Sequence, residues 1–310
     1  MNELGQIVAS LRTDTGLIRD HNEDFVACWE PNTAEEAAQT GWLYVVADGV
    51  GGADAGEVAS QYASERTIAN FLAVDNITDR GQRLLHAMQG ANDDLRQMVI
   101  DRQDNKRMAT TMVAAHIHGQ TALIANVGDS RGYIWHNNQF VQITKDQSLV
   151  AKLVEEGAIT ESEAANHPHK NVILYSIGSE RVATIDLFEH RLTPGDILVL
   201  CSDGLTRHVT DDEISHVIRQ QRPSKATQTL IDLANQRGGQ DNISVAVIHY
   251  TNGQKQKERL VPANGHQHKT TITGQTAASD SGRPFLWTYT LLLSVVQTLL
   301  ILLVWFLLRV

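Results

Sequence analysis

Apolar residues along the chain fall into short dense runs separated by longer stretches of mixed pattern. Runs of strand length occupy Leu43–Ala47, Thr121–Val127, Ile197–Cys201 and Ile243–Ile248. Residues 81–102 put Leu84, Met88, Ala91, Leu95 and Met98 on one face of a helix. Residues 57–73 and 212–237 also read as helical. Gly132–Ile143 reads as a hairpin turning at Asn137 and Asn138. The strands come in groups between helices, which favours an α+β fold over a regular alternation of strand and helix. No internal repeat is evident.

The C-terminal end has a different pattern. Phe285–Leu308 is a run of 24 residues without a charge. As a helix it would span roughly 36 Å, against a hydrocarbon core of about 30 Å. Trp287, Tyr289 and Trp305 lie near its ends, where aromatic rings favour the headgroup zone. A transmembrane helix over 285–308 is therefore expected. Residues 251–284 are polar and aperiodic, and read as a flexible tether between a body (1–250) and that span. The first residues have neither a basic flank nor a long apolar core, so no secretory signal is expected. Lys and Arg on the tether favour its side as cytoplasmic. The expected localisation is a cytoplasmic membrane, with a single-pass C-terminal anchor and the body in the cytoplasm.

Charge separates the same two parts. The 310 residues carry 26 Lys and Arg against 36 Asp and Glu, a formal net of -10. Residues 1–250 alone stand at -14 and residues 251–310 at +4. So acidic a body is a poor nucleic-acid binder, and no nucleic-acid partner is expected. Two cysteines, Cys28 and Cys201, exclude a disulfide framework and read as buried thiols.

The four strand-like runs share an aspartate at one end. Asp48-Gly49 follows the first, Gly128-Asp129 the second, Ser202-Asp203-Gly204 the third, and Asp241-Asn242 precedes the fourth. Taken singly, each is ordinary turn chemistry. Brought together, four carboxylates would need cations, because like charges a few ångströms apart repel strongly. Oxygen-only ligation favours Mg²⁺ or Mn²⁺ over Zn²⁺. Near the N-terminus, Arg19 and the acids Asp20, Glu23 and Asp24 share one short stretch, and arginine suits bidentate phosphate binding.

The segments TDTGLIRDHNED, VVADGVGG, ATT at 109–111, VGDSR, LCSDGL and GGQDNIS occur in that order. Together they resemble the 2C-type, metal-dependent serine/threonine protein phosphatases in their compact bacterial form, over roughly residues 5–250. The resemblance implies an αββα sandwich, two antiparallel sheets flanked by helices, with the metal centre at one end. It implies two Mn²⁺ or Mg²⁺ ions, bridged by Asp48, with the Gly49 carbonyl on one and Asp203 and Asp241 completing the other. Asp24, with Glu23, would hold waters of the metal shell. Asp129 would join Asp203 at a third, weaker ion. Arg19 would grip the substrate phosphate, and Asn242 would orient Asp241. A water activated by the ions would attack phosphorus in line with the leaving serine or threonine oxygen.

Residues 144–185 resemble the flap subdomain beside the active site and are expected to tune substrate choice. Three positions depart from the family pattern: Val50 stands where some members have histidine, Ala109 where glycine is usual, and Gln147 where histidine is frequent. The expected partners are phosphorylated proteins, among them a serine/threonine kinase near the membrane. A competing expectation is a degenerate phosphatase fold acting as a phosphoprotein-binding regulator. Retention of Asp48, Asp203 and Asp241 favours the active enzyme.

Overall fold

The apolar runs are dense because the strands that contain them are covered on both faces. The computed structural model describes residues 6–51, 55–74, 77–102, 108–251 and 270–271. In chain order the elements are β1 (Gln6–Asp14), β2 (Asp24–Trp29), α1 (Ala34–Thr40), β3 (Trp42–Val50), α2 (Ala55–Ala73) and α3 (Arg80–Arg102). Next come β4 (Ala109–Thr110), β5 (Met112–His118), β6 (Thr121–Val127), β7 (Arg131–His136) and β8 (Gln139–Gln142). They are followed by α4 (Leu149–Glu155), α5 (Glu161–Ala165), β9 (Asp186–Arg191), β10 (Ile197–Cys201) and α6 (Asp203–Thr206). The last are α7 (Asp211–Gln220), α8 (Pro223–Gln236), β11 (Ile243–Thr251) and β12 (Thr270–Thr271).

One sheet runs β1-β11-β10-β7-β8 and is antiparallel throughout. The other runs β12-β2-β3-β5-β6-β9, with β4 added beside β3. It is antiparallel except for β12, which pairs parallel to β2. Alternation along each strand divides the core into three layers. On β3, Tyr44 and Val46 face the opposite sheet beside Leu198, Leu200, Ala246 and Ile248. Leu43 and Val45 face the other way, onto Ile68 and Phe71 of α2 and Leu84 and Met88 of α3. Across the molecule, Val199, Val245 and Val247 pack under Ile214 of α7 and Leu230 of α8. The expected αββα sandwich is present.

The hairpin is present as expected: Asn137 and Asn138 adopt φ of 50° and 64°, as a tight hairpin turn requires. Cys28 and Cys201 are buried, and neither is in a disulfide. Three expectations need correcting. The helix expected over 212–237 is two helices, because Pro223 starts α8 and Gln221 adopts an extended backbone after α7. Asp48 lies within β3, which continues to Val50 by pairing Gly49 with Thr110 and Val50 with Ala109. The tether expected over 251–284 contains β12.

The transmembrane helix expected over 285–308 lies outside the described residues. Among the described residues no helix is long and apolar enough to cross a membrane.

Candidate metal centre

The chain direction of the antiparallel strands sends all five aspartates to one end of the sandwich. Asp24 opens β2 directly across from Asp48 on β3. Asp203 starts α6 two residues beyond β10, and Asp241 sits two residues before β11, the neighbour of β10. Asp129 follows β6. Asp24 is buried, and its Oδ2 accepts a hydrogen bond of 2.7 Å from Ser202 Oγ, joining the two sheets under the site.

The carboxyls feel one another strongly. Burial, then Asp24, Asp203, Asp129 and Asp241, push the Asp48 carboxyl well above its usual range. Burial raises Asp24 to about 7, with Asp203 and Asp241 adding to the shift. Burial and Asp203 likewise raise Asp129 to about 7. Asp203 is raised by burial and Asp241, against the opposing charge of Arg207. Glu23 is raised by burial, with Arg19 pulling the other way. Buried oxygens at three of these groups, Asp24 Oδ1, Asp129 Oδ1 and Asp203 Oδ1, have no hydrogen-bond partner. A cluster of protonation-prone acids with unsatisfied oxygens fits hard divalent cations, whose charge replaces the missing donors.

Backbone close to Asp48 is fixed by the Thr110-Thr111 pair. Thr111 N–H and Thr110 Oγ1 both donate to the Asp48 carbonyl at 2.8 Å, and Thr111 Oγ1 accepts from Asp48 N–H at 3.3 Å. Gly49 must lack a side chain. A Cβ there would lie 2.2 Å from the Gly56 carbonyl oxygen and 2.6 Å from that of Glu23. Glycine thus lets the start of α2 close directly over the Asp48-Gly49 backbone.

Asn242 does more than neighbour Asp241. Its Nδ2 donates to the carbonyls of Thr15 and His21, each at 2.9 Å, and its Oδ1 accepts from Glu23 N–H at 2.7 Å. One buried amide therefore staples the loop that carries Arg19. Its own N–H donates to Asp241 Oδ1 at 3.0 Å.

Arg19 reaches the site from that loop. Its Nη2 lies 2.8 Å from Asp241 Oδ1, and its side chain is 47% exposed. A second arginine, missed by sequence reasoning, shares the position: Arg207 pairs with Asp203 and, at 3.4 Å, with Asp241 Oδ2. Its signal was the i, i+4 spacing from Asp203 on a helical turn.

Beside the carboxylates a groove of about 1310 Å³ opens against the 144–185 segment. Asp129, Asp203 and Arg207 line one part of it, and Lys145, Lys152 and Lys170 line the segment's side. Arg131 and Gln147 root that segment. Arg131 forms a bidentate pair with Asp146, with Nη2 at 2.7 Å from Oδ2. Gln147 accepts from Gly128 N–H at 2.9 Å and donates to Asp186 Oδ2 at 2.9 Å. At this departure from the family pattern the glutamine is thus a structural tie.

A family model described as Protein phosphatase 2C matches residues 20–241. The chain belongs to the protein phosphatase 2C family. Among protein phosphatase 2C relatives, the serine/threonine phosphatase stp of Listeria innocua is 35% identical over 257 residues, 81% of this chain and 98% of its own. The crystal structure of the serine/threonine phosphatase PstP/Ppp of Mycobacterium tuberculosis superposes with a TM-score of 0.70 at 34% identity, covering 79% of this chain and 99% of that one. The catalytic domain of PstP in complex with two manganese ions superposes with a TM-score of 0.68 at 32% identity, covering 79% and 98%.

Proposed function

We propose that residues 1–250 form a metal-dependent phosphatase domain that hydrolyses phosphoserine and phosphothreonine in proteins. The observation that carries this is the gathering of Asp24, Asp48, Asp129, Asp203 and Asp241 at one end of the sandwich, with buried carboxyl oxygens left without donors. Membership of the protein phosphatase 2C family supports it, as does the manganese in PstP. The cofactor is Mn²⁺ or Mg²⁺, two ions per domain, with a weaker third.

When bound, the two cations supply a water nucleophile near neutral pH and positive charge beside the phosphoryl oxygens. The chain's residues do the rest. Asp48 and the Gly49 carbonyl would hold the ions, together with Asp203 and Asp241. Asp24 and Glu23 stand one layer out, and Asp129 with Asp203 offers the weaker place. Arg19, half in solvent, is free to exchange Asp241 for the substrate phosphate, where a guanidinium binds two oxygens at once. Asn242 fixes the loop from which Arg19 acts. The 144–185 flap, rooted by Gln147 and Arg131, borders the groove and tunes which phosphopeptides enter.

The proposed substrates include a serine/threonine kinase or its targets close to a membrane. The uncharged run Phe285–Leu308 supports a C-terminal transmembrane anchor at the cytoplasmic membrane, with the catalytic domain on the cytoplasmic side. The alternative, a degenerate fold that only binds phosphoproteins, is disfavoured by the intact carboxylate set.

The test is turnover of a phosphothreonine peptide by the full chain under Mn²⁺ and Mg²⁺ titration, with EDTA and Asp48→Asn as controls. Metal-dependent turnover abolished by the substitution is expected. A folded, Mn²⁺-loaded chain that binds the peptide without turning it over would establish the regulator instead.

A further inference from the structure

The opposite end of the sandwich holds a second cluster of ligand-type side chains. Asp196 immediately precedes β10 and Asp203 follows it, so the length of that strand separates the two places by about 20 Å. Asp196 is 3% exposed. Its carboxylate accepts from Thr193 N–H at 2.7 Å and Thr193 Oγ1 at 3.1 Å, which fix it in one orientation. His136, the last residue of β7, places Nδ1 2.9 Å from both carboxylate oxygens. His190 comes from β9, the edge strand of the other sheet, and its ring stands edge-on to that of His136 with centroids 5.0 Å apart. Ligand atoms of His136, His190 and Asp196 all lie within 4.8 Å of one another.

His190 is the informative member. Its Nε2 is buried and has no hydrogen-bond partner. A buried imidazole nitrogen with nothing to bond, on a ring set beside an acid and a second imidazole, is a candidate ligand atom. Burial, reinforced by His136 and opposed by Asp196, lowers the basicity of His190, which favours the neutral form that metal ligation requires.

We propose that His136, His190 and Asp196 form a second metal site, selective for Zn²⁺ or a similar nitrogen-preferring ion such as Co²⁺. Two imidazoles and one carboxylate match the donor preference of Zn²⁺ and not that of Mg²⁺. Tetrahedral ligands about 2.0–2.1 Å from zinc stand roughly 3.4 Å apart, so the widest pair of the cluster must close by up to about 1.4 Å. His136 and His190 are only partly buried, and side-chain rotation supplies that movement. Three protein ligands leave a fourth tetrahedral position, which water would fill. An ion at His136 Nδ1 would displace the proton that this nitrogen donates to Asp196; the proton moves to Nε2 as the ring changes tautomer, and the Asn137 amide turns its oxygen to accept it. The ion would clamp β7 of one sheet to β9 of the other, so its effect is on stability and not on turnover.

The test uses the full chain without an affinity tag, saturated with Mn²⁺, and compares it with His136→Ala and His190→Ala. The reaction centre and the two histidines of residues 251–284, His266 and His268, are the same in all three, so any difference between them reports this site. Zn²⁺ at one-hundred-fold excess over its dissociation constant should raise the wild-type melting temperature by about 5–10 °C. Elemental analysis should find one more zinc per wild-type chain than per variant. Co²⁺ should give a tetrahedral visible absorption band that both variants lack. Mn²⁺-dependent turnover should stay within about twofold in both variants. His190→Gln, which keeps the volume, serves if an alanine variant fails to fold. An equal Zn²⁺ shift and equal zinc content in wild type and variants would overturn the proposal, as would no Zn²⁺ shift in the wild type.

Discussion

Replacing Asp24 by asparagine tests whether the centre is held under electrostatic stress. Asp24 is 5% exposed, one of its oxygens is unpartnered, and its carboxyl is raised from 3.8 to about 7. A folded-state pKa above the unfolded value means that the folded protein holds a proton the unfolded chain has released. That stability is complete below about pH 4 and is lost as pH rises through about 7. Between pH 5 and pH 8 the metal-free wild type therefore loses about 3 kcal/mol from this group alone, at about 1.4 kcal/mol per pH unit. Asparagine carries no charge at any pH and escapes the loss. The melting temperature of metal-free Asp24→Asn should therefore gain on wild type by roughly 6–12 °C between pH 5 and pH 8. Scanning calorimetry in EDTA at matched pH reads this directly. Saturating Mn²⁺ should favour wild type, because the cations stabilise the ionised carboxylate. A gap that is independent of pH, or that narrows as pH rises, would refute the reasoning.

Asn242→Ala removes three hydrogen bonds made by a buried amide and should cost about 2–4 kcal/mol in urea unfolding. Because those bonds hold the Arg19 loop, the Michaelis constant for a phosphopeptide should rise more than kcat falls. A fall in kcat alone would contradict that role. Gly49→Ala forces a methyl group against two backbone carbonyls and should destabilise the domain by about 1–3 kcal/mol. It should also weaken Mn²⁺ binding measured by calorimetry, and unchanged affinity would separate Gly49 from the centre.

Much of the fold was legible because burial on both faces leaves a plain signature. The runs at Leu43–Ala47, Ile197–Cys201 and Ile243–Ile248 are dense in apolar residues since one set of side chains meets the other sheet and the alternate set meets helices. β1 lies outside those runs for the converse reason. Ile7, Ala9 and Leu11 face the inter-sheet core, while Ser10 bonds to Thr227 of α8, so its pattern alternates. The break at Pro223 was visible in the sequence, and the helical period on both sides of it obscured it.

Asp48, Asp129, Asp203 and Asp241 were legible because each adjoins an apolar run, whereas Asp24 and the gathering at one end followed only from the resemblance to the phosphatase family. What residue spacing could not reveal were contacts made by folding. Arg207 answers Asp241 as well as Asp203, and Asn242 binds a loop more than two hundred residues away in the chain. His136, His190 and Asp196 come from three strands or their ends and have no common sequence signal.

The central claim is that the five-aspartate end of the sandwich holds two divalent cations. Crystals of the full chain grown with Mn²⁺, with diffraction recorded at the manganese absorption edge, test it most directly. The account predicts two strong anomalous peaks, both against Asp48, with one extending to Asp203 and Asp241. Anomalous density absent from that end, or lying away from Asp48, would contradict it.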